Sequence, residues 1–194
     1  DLVKLKELVE DLQKDVVLVD EKADFFRNYL RREKQDRARH VNLYQALQDI
    51  AKQHDKAFGA INVSIDIICK VESSILNIWG YEGDFDTIFT NLITNAYKAL
   101  KKGNESKYLK FEFDYNDGNI IIIACDNGKP IGEQIRSKIF EPLFSTYSDG
   151  TGLGLTIVQD TILNYQGTID LCSEYPETKF RIVIPQTDEP REDE

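Results

Sequence analysis

Apolar residues recur in steps of four and three through the first thirty positions: Leu5, Val9, Leu12, Val16, Val19, Ala23, Phe26 and Leu30. That spacing is an a/d heptad, which lays a narrow apolar stripe along one side of a helix. Lys4, Lys6, Asp11, Lys14 and Asp24 fill the other faces. One helix cannot bury such a stripe alone, so the pattern predicts a coiled coil or a four-helix bundle with partner helices. Residues 31–41 are strongly polar and read as a helix end running into a linker.

Asn42 can cap a second helix, with Leu43, Leu47, Ile50, Ala51 and Phe58 as its apolar positions and Gly59 as its stop. Residues 61–68 and 75–79 read as strands. Gly83 and Asp84 then open a helix whose inward residues are Phe85, Ile88, Phe89, Leu92, Ile93, Ala96 and Leu100. The alternation Leu109, Phe111, Phe113, Tyr115, an Asn-Asp-Gly turn at 116–118 and the run Ile120–Ile123 predict a hairpin. A glycine-flanked helix over about 151–165 and strands at 167–173 and 178–185 complete the pattern. Grouped this way, the elements predict an α+β sandwich in which helices cover one face of a mixed sheet, preceded by a long N-terminal helix.

Composition narrows the function classes. The chain is 41% hydrophobic and 30% charged, within the globular range, and no run approaches the roughly 18 apolar residues that span a bilayer. A net charge of −10 argues against a nucleic-acid groove, which needs Lys and Arg against phosphates. Some of that charge lies in 186–194, which reads as a solvated acidic tail. Cys69, Cys125 and Cys172 have neither disulfide nor metal spacing and read as buried free thiols of a reducing cytoplasm. The chain starts at Asp1 and has no Met, so it reads as part of a longer product. Any membrane anchor is expected outside it.

Three segments carry chemistry. Asp126-Asn-Gly128-Lys-Pro130-Ile131 follows an apolar strand and delivers a carboxylate to the sheet edge; an ionised carboxylate only accepts hydrogen bonds, which suits an exocyclic amine. The run Gly150-Thr151-Gly152-Leu153-Gly154-Leu155 precedes a helix, where unpaired N–H groups favour phosphate. Asn91, Asn95 and Lys98 share one face of the helix from 84. Asn offers Mg²⁺ a neutral oxygen ligand, and the ammonium can meet phosphate charge. Taken singly, each segment also fits a blander reading as an ordinary turn, a plain helix start or a polar outer face.

In this order and spacing the segments resemble the nucleotide site of the GHKL ATPase/kinase superfamily, over roughly residues 42–185. Asn91–Ala99 is similar to the asparagine box and Asp126–Ile131 to the first glycine box. Phe140-Glu-Pro142-Leu-Phe144-Ser-Thr resembles the phenylalanine box and Gly150–Leu155 the second glycine box. The resemblance implies the Bergerat-type α/β sandwich and a Mg-ATP site. It would give Asn95 the metal, Asp126 the adenine amine, Gly128 room for the base, and Ile131 and Phe140 a place in the wall. Thr151, Gly152, Leu153 and Gly154 would supply phosphate-binding N–H groups, Thr178 would lie beneath the adenine, and 136–150 would form the ATP lid. Pro130 stands where a second glycine is usual. The lid reads Ser145-Thr146-Tyr147-Ser148 where relatives often carry a basic residue, which leaves Lys98 as the candidate partner of the γ-phosphate.

Members of the superfamily that hydrolyse ATP, such as gyrase and the heat-shock chaperones, place a Glu where this chain has Asn91, and an amide has no pKa useful to a general base. With the heptad helix, this makes the chain resemble the catalytic part of a sensor histidine kinase. Residues 1–38 would be the second helix of a dimerisation and phosphoacceptor hairpin plus its linker, 39–185 the ATP-binding domain, and 186–194 the tail. A kinase of this kind would work in the cytoplasm as a homodimer and pass phosphate to a response-regulator receiver domain. His40 and His54 lack the sequence surroundings of an acceptor, so the acceptor is expected on the first hairpin helix, outside this chain. The alternatives are an anti-sigma-type serine kinase and a nucleotide-sensing module without turnover.

Overall fold

Asn42 starts the first helix as its sequence position suggests, its side-chain oxygen accepting the Gln45 N–H at 3.0 Å. The same side chain donates to the Ser73 carbonyl and to the Asn77 side-chain oxygen, so one amide joins a helix start to the loop beside it. Replacing Asn42 with Ala is expected to cost about 1 kcal/mol, read as a Tm drop of a few degrees; an unchanged Tm would mean the cap contributes nothing.

The computed structural model describes residues 37–101, 107–147, 150–172 and 177–187. The heptad at 5–30 lies outside the described residues. In chain order the elements are β1 (Arg39–Asn42), α1 (Leu43–Gly59), β2 (Ile65–Cys69), β3 (Asn77–Gly80), α2 (Glu82–Lys101), β4 (Leu109–Asn116), β5 (Asn119–Asp126), α3 (Gly154–Asn164), β6 (Thr168–Leu171) and β7 (Thr178–Pro185). Short 3₁₀ turns occupy Ser73–Ile75 and Glu133–Lys138. None of the described helices is long and apolar enough to cross a membrane.

Five strands form one sheet in the order β2-β4-β5-β7-β6, with β2 parallel to β4 and the other pairs antiparallel. Strand alternation sends Leu109, Phe111 and Phe113 of β4, Ile120, Ile122 and Ala124 of β5, and Phe180, Ile182 and Ile184 of β7 to a buried face. The three helices pack with that face into one core, to which α2 contributes all seven apolar residues read from its period. The fold is therefore the expected α+β sandwich. At the tip of β4–β5, Asp117 and Gly118 both have positive φ (49° and 79°). This is the handedness a two-residue hairpin turn requires.

Several boundaries differ from the sequence expectation, each for a tertiary reason. Residues 39–42 are a strand, since β1 pairs antiparallel with β3 from Arg39↔Gly80 to Asn42↔Asn77. Only Val41 of that strand is buried, too little apolar signal to stand out in a polar stretch. Gly59 is the last residue of α1, as its place in the sequence suggests; beyond it Asn62, with φ 58°, turns the chain, and β2 begins at Ile65 and not at residue 61. The segment read as a tail from 186 is anchored at its start. Gln186 N–H donates to the Gly118 carbonyl and its side-chain amide donates to the Ile75 and Asn77 carbonyls, while Trp79 N–H donates to the Thr187 carbonyl. All three cysteines are free thiols, but only Cys125 is buried; Cys69 is half-buried and Cys172 exposed.

Candidate functional site

A cavity of about 530 Å³ opens between α2, the ends of β5 and β7, and the chain from Lys129 to Leu155. Ala124, Asp126, Thr178 and Phe180 form its floor, because alternation along β5 and β7 points these residues toward the helices. Asp126 is paired in register with Thr178. Both are at most 5% exposed. The Asp126 carboxylate accepts the Gly128 N–H at 2.9 Å. Burial pushes its pKa up to about 7, with the Gly128 N–H pulling part of the way back. The Thr178 hydroxyl is buried and has no hydrogen-bond partner among the described residues. Buried polar groups are normally satisfied, so a carboxylate and a hydroxyl left side by side on a cavity floor suit a polar ligand.

Gly128 itself does not line the cavity. A Cβ there would sit 2.6 Å from the Ala99 carbonyl carbon, and Lys129 N–H donates to the Ala99 carbonyl at 3.1 Å. The glycine thus lets the loop after β5 lie flat on α2, which holds Asp126 at that end of the cavity. The other end is marked by Gly154, where a Cβ would come 2.7 Å from the Asn91 side-chain oxygen. Asn91 donates its amide to the Thr87 carbonyl at 2.8 Å, which fixes its oxygen toward α3. Eight residues of α2 separate Asn91 from Ala99, roughly 12 Å of axis, so the helix measures the cavity from α3 to Asp126.

Helix α3 begins at Gly154 with Leu153 in the cap position and no side-chain cap hydrogen bond. Its first-turn N–H groups are therefore open to an anion. Gly152 has φ 68°, and a Cβ on it would meet the Leu143 carbonyl carbon at 2.3 Å. This left-handed residue delays the helix from 151 to 154 and presses the glycine run against the segment at 143–144. Thr156 Oγ donates to the Phe140 carbonyl at 3.0 Å, a second tie between the same two segments.

Of the residues singled out in the sequence, Asn91, Asn95, Lys98, Asp126, Ile131, Thr151, Gly152, Gly154 and Thr178 meet in the one cavity. Phe140 stands behind the floor, edge-on to Phe180 with ring centroids 6.3 Å apart, and Leu153 is buried beneath the loop. Thr94, Lys129, Gln134 and Ile135 also line it without having been singled out, and Ile139 and Tyr147 line it from the segment read as a lid. Thr94 had a signal, since it lies three residues from Asn91 on the same helical face. Ile135 and Ile139 lie in an irregular segment with no period to read.

Residues 80–188, more than half of the chain, match the family of histidine kinase-, DNA gyrase B-, and HSP90-like ATPases. The chain belongs to that family. Within it, the chain is 28% identical to the sensory histidine kinase/phosphatase NtrB of Rhodobacter capsulatus, over 94% of this chain and 52% of that protein. It is 26% identical to NtrB of Azospirillum brasilense, over 77% of this chain and 40% of that protein. It thus spans about half the length, or less, of these curated relatives. In fold it is similar to the catalytic domain of histidine kinase ThkA, with a TM-score of 0.68 at 23% identity, covering 78% of this chain and 97% of that domain. ThkA solved in complex with the response regulator TrrA gives the same TM-score at 20% identity, covering 92% of this chain and 49% of that chain.

Proposed function

We propose that this chain binds Mg-ATP in the cavity and donates the γ-phosphate to a histidine on the first helix of a dimerisation hairpin, with residues 1–38 as the second helix and linker. The whole kinase works as a cytoplasmic homodimer and passes the phosphate to a response-regulator receiver domain. The observation that carries this reading is the span of the cavity. A buried carboxylate and an unpartnered hydroxyl sit at one end, and an uncapped helix N-terminus with its glycines sits at the other. An adenine amine can donate to Asp126, and the phosphates can accept from the first turn of α3. The relatives named as histidine kinases, and the ThkA–TrrA complex, support the choice of acceptor and partner.

The residues also fit Mg²⁺. The described residues contain no cluster of three or more His, Cys, Asp or Glu able to hold a metal, so the ion depends on amide oxygen and on the nucleotide. Asn95 lines the cavity and its side chain has no hydrogen bond to the described residues; it would hold Mg²⁺ together with phosphate oxygens and water. When bound, the ion neutralises charge on the phosphates. Asn91 packs its oxygen against Gly154 and orients the start of α3. As an amide it removes no proton from water, which favours transfer to a positioned imidazole over hydrolysis.

Replacing Asn95 with Ala is expected to weaken Mg-ATP binding by at least about tenfold, while ATP binding measured in EDTA changes little. Calorimetry with and without Mg²⁺ separates the two, and an equal loss in both would deny Asn95 its metal role. The transfer itself is tested by mixing this chain with radiolabelled ATP and a separately produced hairpin carrying the acceptor histidine. Label that stays as free phosphate, with none on the hairpin, would remove the kinase reading and leave an ATP-binding domain.

A further inference from the structure

The last paired row of β4, β5 and β7 closes one end of the cavity. Leu109 pairs with Asp126, and Asp126 with Thr178, and all three residues line the cavity. None of these strands is joined to another at this end. The turn between β4 and β5 lies at the opposite end of the ladder, beyond Asn116↔Asn119. Strand ends open first when little else ties them, so a carboxylate that must meet a base on this row needs support.

The face of the sheet turned away from the cavity supplies it. Each residue of the row has a chain neighbour in one side-chain cluster centred on Glu177. Beside Leu109, the Tyr108 hydroxyl donates to one Glu177 carboxylate oxygen. Beside Asp126, the Cys125 thiol donates to the other, with Sγ 3.6 Å from Oε2. Beside Thr178, the Lys179 ammonium lies 3.4 Å from the same Oε2. Asn127 adds a tie between β4 and the chain after β5, its side-chain oxygen accepting the Tyr108 N–H at 2.8 Å.

Burial, and after it the Glu177 carboxylate, hold the Tyr108 phenol above its ordinary pKa, while the hydrogen bond from Tyr108 holds Glu177 below its own. Donor and acceptor thus keep complementary states, and the contact is a charge-assisted hydrogen bond. Glu177 is not among the residues that line the cavity, and its side chain is 38% exposed. Its removal therefore takes no contact from a ligand and leaves no hole in the core.

We infer that Glu177 is a positioning residue of the nucleotide site, holding the row Leu109, Asp126 and Thr178 in place from behind through Tyr108 and Cys125. This rests on the adenine role proposed above for Asp126. A carboxylate held by two neighbouring strands meets the exocyclic amine at a fixed distance and angle. Released, it spreads over several positions, and a small misplacement of an oriented group is costly. The start of α3 is built from other elements, so the loss is felt at the base and not at the phosphates.

The test is calorimetry of this chain in excess Mg²⁺ with ATP and with purine riboside triphosphate, which lacks the amine. The unsubstituted chain is expected to favour ATP by about tenfold or more, the worth of one hydrogen bond to a charged group. Glu177→Ala is expected to weaken ATP by about tenfold and the analogue by less than about threefold, so that the preference nearly disappears. Glu177→Gln keeps an oxygen for the Tyr108 hydroxyl and should retain the preference within about threefold. Tyr108→Phe should reproduce Glu177→Ala, and it carries the comparison if the latter loses its far-ultraviolet circular dichroism. Equal weakening of both nucleotides, or an unchanged preference, would overturn the inference and leave the nucleotide site standing. If the unsubstituted chain binds neither nucleotide, or both alike, the base role of Asp126 falls and the inference with it.

Discussion

Asp126→Asn is expected to leave a protein that is more stable at pH 8 and no longer binds Mg-ATP well. The carboxyl has a folded pKa of about 7, raised from 3.8 by burial. A raised carboxyl means that, between those values, the folded state holds more protons than the unfolded state. Stability therefore falls as pH rises from about 4 to 7, and the full cost of the buried charge is present above 7. An Asn carries no such cost and still accepts the Gly128 N–H. The gain is on the order of 2–4 kcal/mol at pH 8, or roughly 2–4 °C of Tm per kcal/mol for a domain of this size. It should vanish near pH 4. With its oxygen held by Gly128, the Asn side chain turns an N–H toward an adenine amine, donor against donor. Loss of a hydrogen bond to a charged group then weakens ATP on the order of 100-fold. Thermal melts at pH 8 and pH 4 with calorimetry of Mg-ATP decide the matter. A variant that is less stable at pH 8, or that binds ATP normally, would show that Asp126 has another role.

Gly152→Ala is expected to remove most nucleotide binding by a different route, through the backbone. The residue has φ 68°, a region that costs an L-residue roughly 1–2 kcal/mol. Its Cβ would also meet the Leu143 carbonyl carbon at 2.3 Å, the Leu143 oxygen at 2.6 Å and the Phe144 nitrogen at 2.7 Å. All three are backbone atoms, so the segment at 143–144 must move as a unit. Leu143 is itself left-handed, with φ 68°, and has little freedom to yield. Since that segment and the start of α3 share the phosphate end, Mg-ATP affinity should fall by about 100-fold or more while the core keeps its far-ultraviolet circular dichroism. Gly150→Ala meets chiefly the tip of the Ser145 side chain, at 2.1 Å, and should be milder because a hydroxyl can rotate away. Equal effects of the two substitutions, or a Gly152→Ala protein within about threefold of normal affinity, would mean that the glycine run is not a phosphate cradle.

The sandwich was readable wherever a period was strong. All seven inward residues of α2 were legible from their spacing because each is buried on one continuous face. The β4–β5 hairpin was legible from alternation and its Asn-Asp-Gly turn. Strand β1 was not, since its pairing with β3 is made of backbone hydrogen bonds between residues whose side chains are mostly exposed. Gln186 and Thr187 were read as tail for the same reason. Polar and close to an acidic run, they are held by partners 68 to 111 positions away in the chain, Gly118 and Ile75 among them.

By itself, the sequence determined that this chain carries a carboxylate after an apolar strand, glycines before a helix, and two amides and a lysine on one helical face. Those are local facts, set by covalent order and helical or strand period. The tertiary structure decided what each of them faces. It placed Asp126 beside Thr178 through a register between strands fifty residues apart, and burial then moved its pKa, which no spacing can encode. It also assigned Gly128 to the contact with α2. Because α2 lies along the cavity, it sets Asn91 against Gly154 at the start of α3 and Ala99 against Gly128. Residue types fix what a group can donate or accept, but distance and desolvation depend on the packing of elements remote in sequence, and those decide which chemistry the site can perform.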